Sequence, residues 1–378
     1  MKTSSIQSAI VYLALILVGG SLSACSGEDN SEDTSGGWDV RRDVLTLHQN
    51  LQISEGDDFF FGSIADVAVA RDGRMYVADG EAVHVKVLSA NGALQDSVGS
   101  QGEGPGEFRR LSEIALARGD SLYALDGYYG RVHVFRPDHT FERSFLARTD
   151  QGSPNDMMIP KGPEAGEDQA FLFMYSPAAR AVVQESARLA VRPVSLGGVV
   201  GDTLFTTQPY RLASKDLGEG RMMFMSIPFV SGPNFALGPE GRVHYAWSDS
   251  LTVTAYDSNG QPQRTVSTPF KSVPVTDAEI EEALEGRTRD RDLLQRHIPE
   301  SKPAFERFLI GPDGRYWFKR VTVTPDTADW WITDPEARQV DVVSLPRTVD
   351  LLHIGEEQVY GRSQGGGAPP TLVRYCIK

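Results

Sequence analysis

Between Ile64 and Gly99 apolar residues fall into four short runs, near 64–70, 74–79, 83–89 and 93–99, broken by Asp72-Gly73 and Asn91-Gly92. Runs of this length closed by Asp-Gly and Asn-Gly read as strands joined by tight hairpins. The stretch then repeats. Displaced by 47 residues, Ile64–Leu94 falls on Leu111–Phe141 without a gap and with eight identities, among them Tyr76/Tyr123, Asp79/Asp126 and Val85/Val132. Displaced by 168 it matches once more, through Gly73/Gly241 and Asn91-Gly92/Asn259-Gly260. A period of this size, made of strands with no helix, marks the blade of a β-propeller.

The rest of the chain fits the same unit. Blade two is expected at 111–147, a degenerate blade three at 170–207 with 151–168 as loop, blade four at 233–268 and blade five at 305–345. Blade six has three C-terminal strands, 349–354, 357–363 and 371–377, and the spare N-terminal strand 43–54 supplies its fourth. Closing the ring in this way leaves no open edge to aggregate. One insertion departs from the pattern. Thr276 with Glu279 three residues on is a capping box, Ile280 and Leu284 share one helical face, and a second helical piece spans Arg291–His297. The expected fold is therefore all-β: a six-bladed propeller over 38–378, closed by an N-terminal strand, with a helical insertion at 276–304 between blades four and five.

A chain of 378 residues with 37 glycines and 22 prolines supplies the length and the turns for six such blades. Its net charge of −14 argues against nucleic acid as a partner, since phosphate binding needs clustered Lys and Arg. The N-terminus has a cationic Lys2 and an apolar stretch, Ala9–Val18, too short to span a bilayer. Leu22-Ser23-Ala24-Cys25 follows and resembles a bacterial lipobox. That resemblance implies a signal peptide over 1–24, lipidation of Cys25 and anchoring by several acyl chains. Ser26, in place of Asp, points to the outer membrane of the envelope. Residues 25–37 read as a flexible acidic tether. With Cys25 lipidated, Cys376 has no intramolecular partner for a disulfide.

The pattern resembles bacterial six-bladed propellers of the NHL-repeat-like kind, secreted or lipid-anchored. Gly102-Glu103-Gly104-Pro105-Gly106-Glu107-Phe108 matches the glycine-rich joint of those repeats, and Met75-Tyr76-Val77-Ala78-Asp79 their middle strand. The family is defined by its fold, so no activity comes with it. In a blade entered from the inside, with strands A to D running outward, the B–C and D–A connections share one face. Asp79, Asp126, Glu103, Glu107, Arg109 and Glu113 are expected there as candidate ligand-binding residues, with the 276–304 insertion as a partial lid. Each has a structural reading: a strand-ending Asp bonds the amides of the next turn, and the glycine-rich stretch is a joint plugged by Phe108. No nucleophile–base or metal-ligand spacing stands out. The sequence thus reads as an envelope lipoprotein that binds a protein, peptide or small ligand without a cofactor. The alternative is a calcium-assisted hydrolase, lactonase or lyase, with Asp and Glu holding the ion as in gluconolactonase-type propellers.

Overall fold

The structure is a computed structural model and describes residues 39–42, 45–56, 59–117, 119–127, 130–146, 157–158, 171–175, 188–195, 199–219, 221–238, 241–321, 324, 326–334, 339–365 and 367–378. The signal peptide, Cys25 and the acidic tether lie outside the described residues, as do 151–156 and 159–168.

Six blade sheets succeed one another along the chain, five of four antiparallel strands and one, blade five, with a fifth strand added. Blade one is built from Ile64–Val69, Met75–Asp79, His84–Leu88 and Leu94–Val98, strands A to D. Its second strand is buried at every position, whereas the outermost strand is largely exposed. Inner strands therefore read as apolar runs and outer strands as polar ones with an occasional apolar residue. The A–B and C–D hairpins turn through Gly73 and Gly92, at φ of 84° and 93°. Only glycine enters this region without strain, which is why Asp-Gly and Asn-Gly recur there.

Blade two repeats the arrangement with Leu111–Leu116, Leu122–Asp126, Arg131–Phe135 and Phe141–Leu146. Blade three corrects the sequence reading in one place. Met157–Met158, inside the stretch taken as loop, pairs with Phe171–Tyr175 as the first strand of that sheet. A strand of two residues carries no readable periodicity.

The core is a closed circuit. Six apolar clusters each join two neighbouring blades: one with two, two with three, three with four, four with five, five with six, and six with one. Adjacent residues of one strand serve different interfaces, because successive side chains point to opposite faces of a sheet. Trp330 packs towards blade six and Trp331 towards blade four, both at most 2% exposed.

Closure follows the expectation. Leu47–Ile53 pairs antiparallel with the last strand, Ala368–Ile377, as the outermost strand of blade six. Cys376 is half-buried in that strand, and its Sγ accepts from Asn50 Nδ2 at 2.8 Å. A second stitch was not foreseen. Asp39–Arg42 lies parallel to Gln339–Val342 and adds a fifth strand to blade five. Arg41 donates to Asp341 from both Nε and Nη2, at 2.9 and 2.6 Å. The N-terminal segment thereby covers the outer edges of two successive blades.

Candidate functional site

Asp79 ends the second strand of blade one and is 0% exposed. Its carboxylate accepts from the amides of Gly62 and Ser63, which enter the blade, and of Glu81 and Ala82, which begin the B–C turn, at 3.0–3.2 Å. Lys86 Nζ adds an ion pair at 2.6 Å, itself buried. Burial pushes the carboxyl pKa up, but Lys86 and the amides outweigh it, so Asp79 is held below the usual carboxylate value. Asp126 holds the same position in blade two. It is 1% exposed and accepts from the amides of Arg109 and Arg110 at 3.0 and 3.2 Å. In both blades this acid locks the incoming chain to the strand end.

The glycine-rich joint is equally well tied. Glu107 accepts from the amides of Glu103 and Gly104 at 3.0 and 2.8 Å, and Phe108 is fully buried. A Cβ on Gly99 would lie 2.2 Å from the Phe108 ring, so the close approach of chain and ring needs glycine there. Glu103 and Arg109 form an exposed ion pair above the loop. Glu113, on the inner strand of blade two, is half-buried and pairs across the sheet with Leu125. The structure thus gathers Asp126, Glu103, Glu107 and Arg109 at one joint, with Glu113 just inside it. Asp79 serves the preceding joint, one blade away. An open depression of about 530 Å³ lies alongside, lined by Glu103, Pro105, Arg131, Phe141, Arg143 and Phe145 among others.

At the Lys86 position blade two has His133, 0% exposed and enclosed by Phe108 and Phe141. Its Nδ1 accepts from the Gly106 amide at 3.2 Å, and its Nε2 has no hydrogen-bond partner among the described residues. Burial, reinforced by the Arg131 charge, lowers its pKa to about 4.

The insertion forms as read. Helix α1, Asp277–Ala283, is capped by Thr276 and Glu279 in a reciprocal box. Lys302, 7% exposed, holds the carboxylate oxygen of Glu279 that Thr276 leaves. Helix α2 spans Arg291–Gln295. The hairpin of Leu212–Gly218 and Arg221–Ser226, between blades three and four, shares an apolar core with both helices: Ala213, Met225 and Ile227 meet Ile280, Leu284 and Leu294. Lys215 on the hairpin reaches Asp290 at 2.7 Å. The hairpin links blade three to four and the helices link blade four to five. Both are D–A connections, so both rise from the face bearing the joints.

Sequence reasoning missed a cluster on that face. Arg307 on the inner strand of blade five and Asp350 on the inner strand of blade six form an ion pair at 3.0 Å. Lys319 and Arg362, on the adjacent second strands, reach the same carboxylate at 3.4 and 3.5 Å. The 276–304 insertion breaks the regular spacing between blades, so no simple offset aligned these residues with blade one. Among the described residues no three of His, Cys, Asp or Glu come close enough together to hold a metal ion, so the calcium reading finds no ligand set there.

Comparisons with known proteins agree with the sheets. Residues 49–141 match the model of a family, DUF5128, described as a 6-bladed beta-propeller. No curated protein matches the chain. Among solved structures, a putative exported protein from Bacteroides fragilis is similar over 90% of this chain and 99% of its own, at 13% identity and a TM-score of 0.52. Virginiamycin B lyase from Staphylococcus aureus covers 88% and 99% at 10% identity, with a TM-score of 0.43. A gluconolactonase from Xanthomonas campestris covers 83% and 85% at 12% identity, with a TM-score of 0.45. At 13% identity the likeness to the exported protein speaks to architecture alone. The chain is a six-bladed β-propeller, closed on itself by its own N-terminal strand.

Proposed function

We propose that this protein is a binding propeller of the cell envelope, anchored through Cys25, which holds a small or peptide-like ligand on its D–A face without catalysing a reaction. One observation carries the reading. The two large departures from the blade repeat, the 212–226 hairpin and the 277–295 helices, rise from the same face and share one apolar core. Scaffold economy alone needs only a short turn at a D–A joint. Additions on one face that pack on each other suit a cover for something bound there. The fold neighbour that is an exported protein is in keeping with an envelope address, as is the Leu22-Ser23-Ala24-Cys25 motif.

The test is a blind thermal-shift screen of metabolites and short peptides on the purified chain, followed by hydrogen exchange with any hit. Protection should appear at 212–226, 277–295 and the joint at 102–110. A hit that protects only the A–B and C–D turns, for example 71–74 and 89–93, would place the ligand on the other face and overturn the reading.

A further inference from the structure

Blades one, two and five enter their inner strands with the same register irregularity. Ile64 and Asp66 face Asp79 and Ala78; Leu111 and Glu113 face Asp126 and Leu125; Phe305 and Arg307 face Arg320 and Lys319. The three sets are therefore structurally equivalent, and blade five reverses the charge twice. Where its fellows place Asp66 or Glu113 it has Arg307. Where they place the joint-locking Asp79 or Asp126 it has Arg320, stacked on Trp331 at 4.2 Å. Where they have the apolar Ala78 or Leu125 it has a third cation, Lys319.

Arg307 and Lys319 are direct cross-strand neighbours. Like charges so opposed destabilise a sheet. Asp350 of the next blade relieves the repulsion in part: Oδ2 takes Arg307 and Arg362, and Oδ1 takes Lys319. Lys319 also reaches Glu306 at 3.0 Å. Among the described residues three cations thus meet two carboxylates, one positive charge in excess, on a chain of net charge −14.

Sealing the inner edges explains some of these contacts. Arg307 Nη1 also bonds the Leu351 carbonyl at 3.2 Å, and Arg362 Nη1 bonds that of Ile64 at 2.7 Å. It does not explain Lys319, whose nearer partner, Glu306, is an exposed side chain and whose other, Asp350, already has two arginines. It also leaves Nε and Nη2 of Arg307, a side chain 36% exposed, donating to no group among the described residues. An open guanidinium fork beside an ammonium matches the geometry of a carboxylate or phosphate group.

We infer that this patch, at the inner-strand entry of blades five and six, is a subsite for the oxyanion of a small soluble ligand. Arg307 and Lys319 contact the anion, and Asp350 is a positioning residue that holds the cations and competes with the ligand for them. The inference rests on the D–A face being the ligand face, and it names the ligand's charged end.

The experiment titrates the full-length chain in detergent with succinate and with inorganic phosphate at constant ionic strength, read by calorimetry and melting. At least one probe should bind saturably, one per chain. Lys319→Met and Arg307→Gln should each weaken binding at least tenfold, and Lys319→Arg should retain it. Asp350→Asn should tighten binding severalfold, a change of sign that a merely structural role does not produce. If Arg307→Gln melts without cooperativity, Lys319→Met and Asp350→Asn decide alone. Absence of saturable binding by either probe overturns the subsite, and so does binding indifferent to both deciding variants. A screened ligand that protects 212–226 and 277–295 yet ignores these variants would remove the subsite and leave the ligand face standing. One that protects the opposite face would remove both.

Discussion

Asp79 and Lys86 form an ion pair hidden from water on both sides, and such a pair is asymmetric in its energetics. Removing one partner strands a buried charge, which destabilises by about 3–5 kcal/mol. Lys86→Met should show this loss in urea unfolding at neutral pH, and adding Asp79→Asn should restore part of it. Acid tests the neighbouring interface. His133 and His244 are both buried, and burial lowers each imidazole to about 4 from the usual 6.5. As pH falls from 6.5 towards 4 these groups protonate in the unfolded chain before the folded one. Stability therefore drops over that window, by up to about 3 kcal/mol for each histidine. Asp79, with its lowered pKa, withdraws its contribution only below its usual value of 3.8. Unfolding free energies at pH 7.5 and 5 should differ accordingly, and His133→Gln with His244→Gln should flatten the slope. The recurrence of Asp79 and Asp126 was plain in the sequence, and so was the substitution of His133 for Lys86. What those residues touch was not, because burial and amide bonds depend on which chain segments arrive at the strand end.

At the scale of elements, the lid has a core of its own, separate from the six that join the blades. Leu294 is fully buried in it. Leu294→Ala should therefore cost about 2–5 kcal/mol locally. Hydrogen exchange should speed up in 212–226 and 277–295 while the blades keep their protection. A uniform loss across all blades would show that the lid is part of the ring's folding unit. The helices were legible because a capping box is a local code. Their partner hairpin was not, because Met222, Met223, Phe224 and Met225 form an unbroken apolar run with no period. Ring closure was legible from blade six being one strand short. Deleting 38–54 should leave the edge of Ala368–Ile377 bare and yield an aggregating chain. A soluble, cooperatively melting deletion variant would contradict that role. The parallel strand Asp39–Arg42 escaped notice: four residues fit either tether or strand, and only the Gln339–Val342 edge selects the strand.

For the whole molecule, the repeat in blades one and two carried the architecture, and the circuit of six inter-blade clusters completes it. Charge distribution is where the blades cease to be equivalent, and that asymmetry emerges only once strands are paired. On the sequence reading, Cys25→Ser should release the protein from membranes or leave it unprocessed, as fractionation and mass spectrometry of the mature N-terminus would show. The parallel strand fixes where the N-terminal segment joins the propeller. Asp39 pairs with Gln339, the first residue of its strand, at the C–D turn side of blade five. The joints, the hairpin and the helices lie on the other side. Residues 26–38 can extend to at most roughly 45 Å. With Cys25 lipidated as proposed, the tether would join the propeller on its C–D side. A ligand taken up on the joint face, as proposed, would then be approached without crossing the tether.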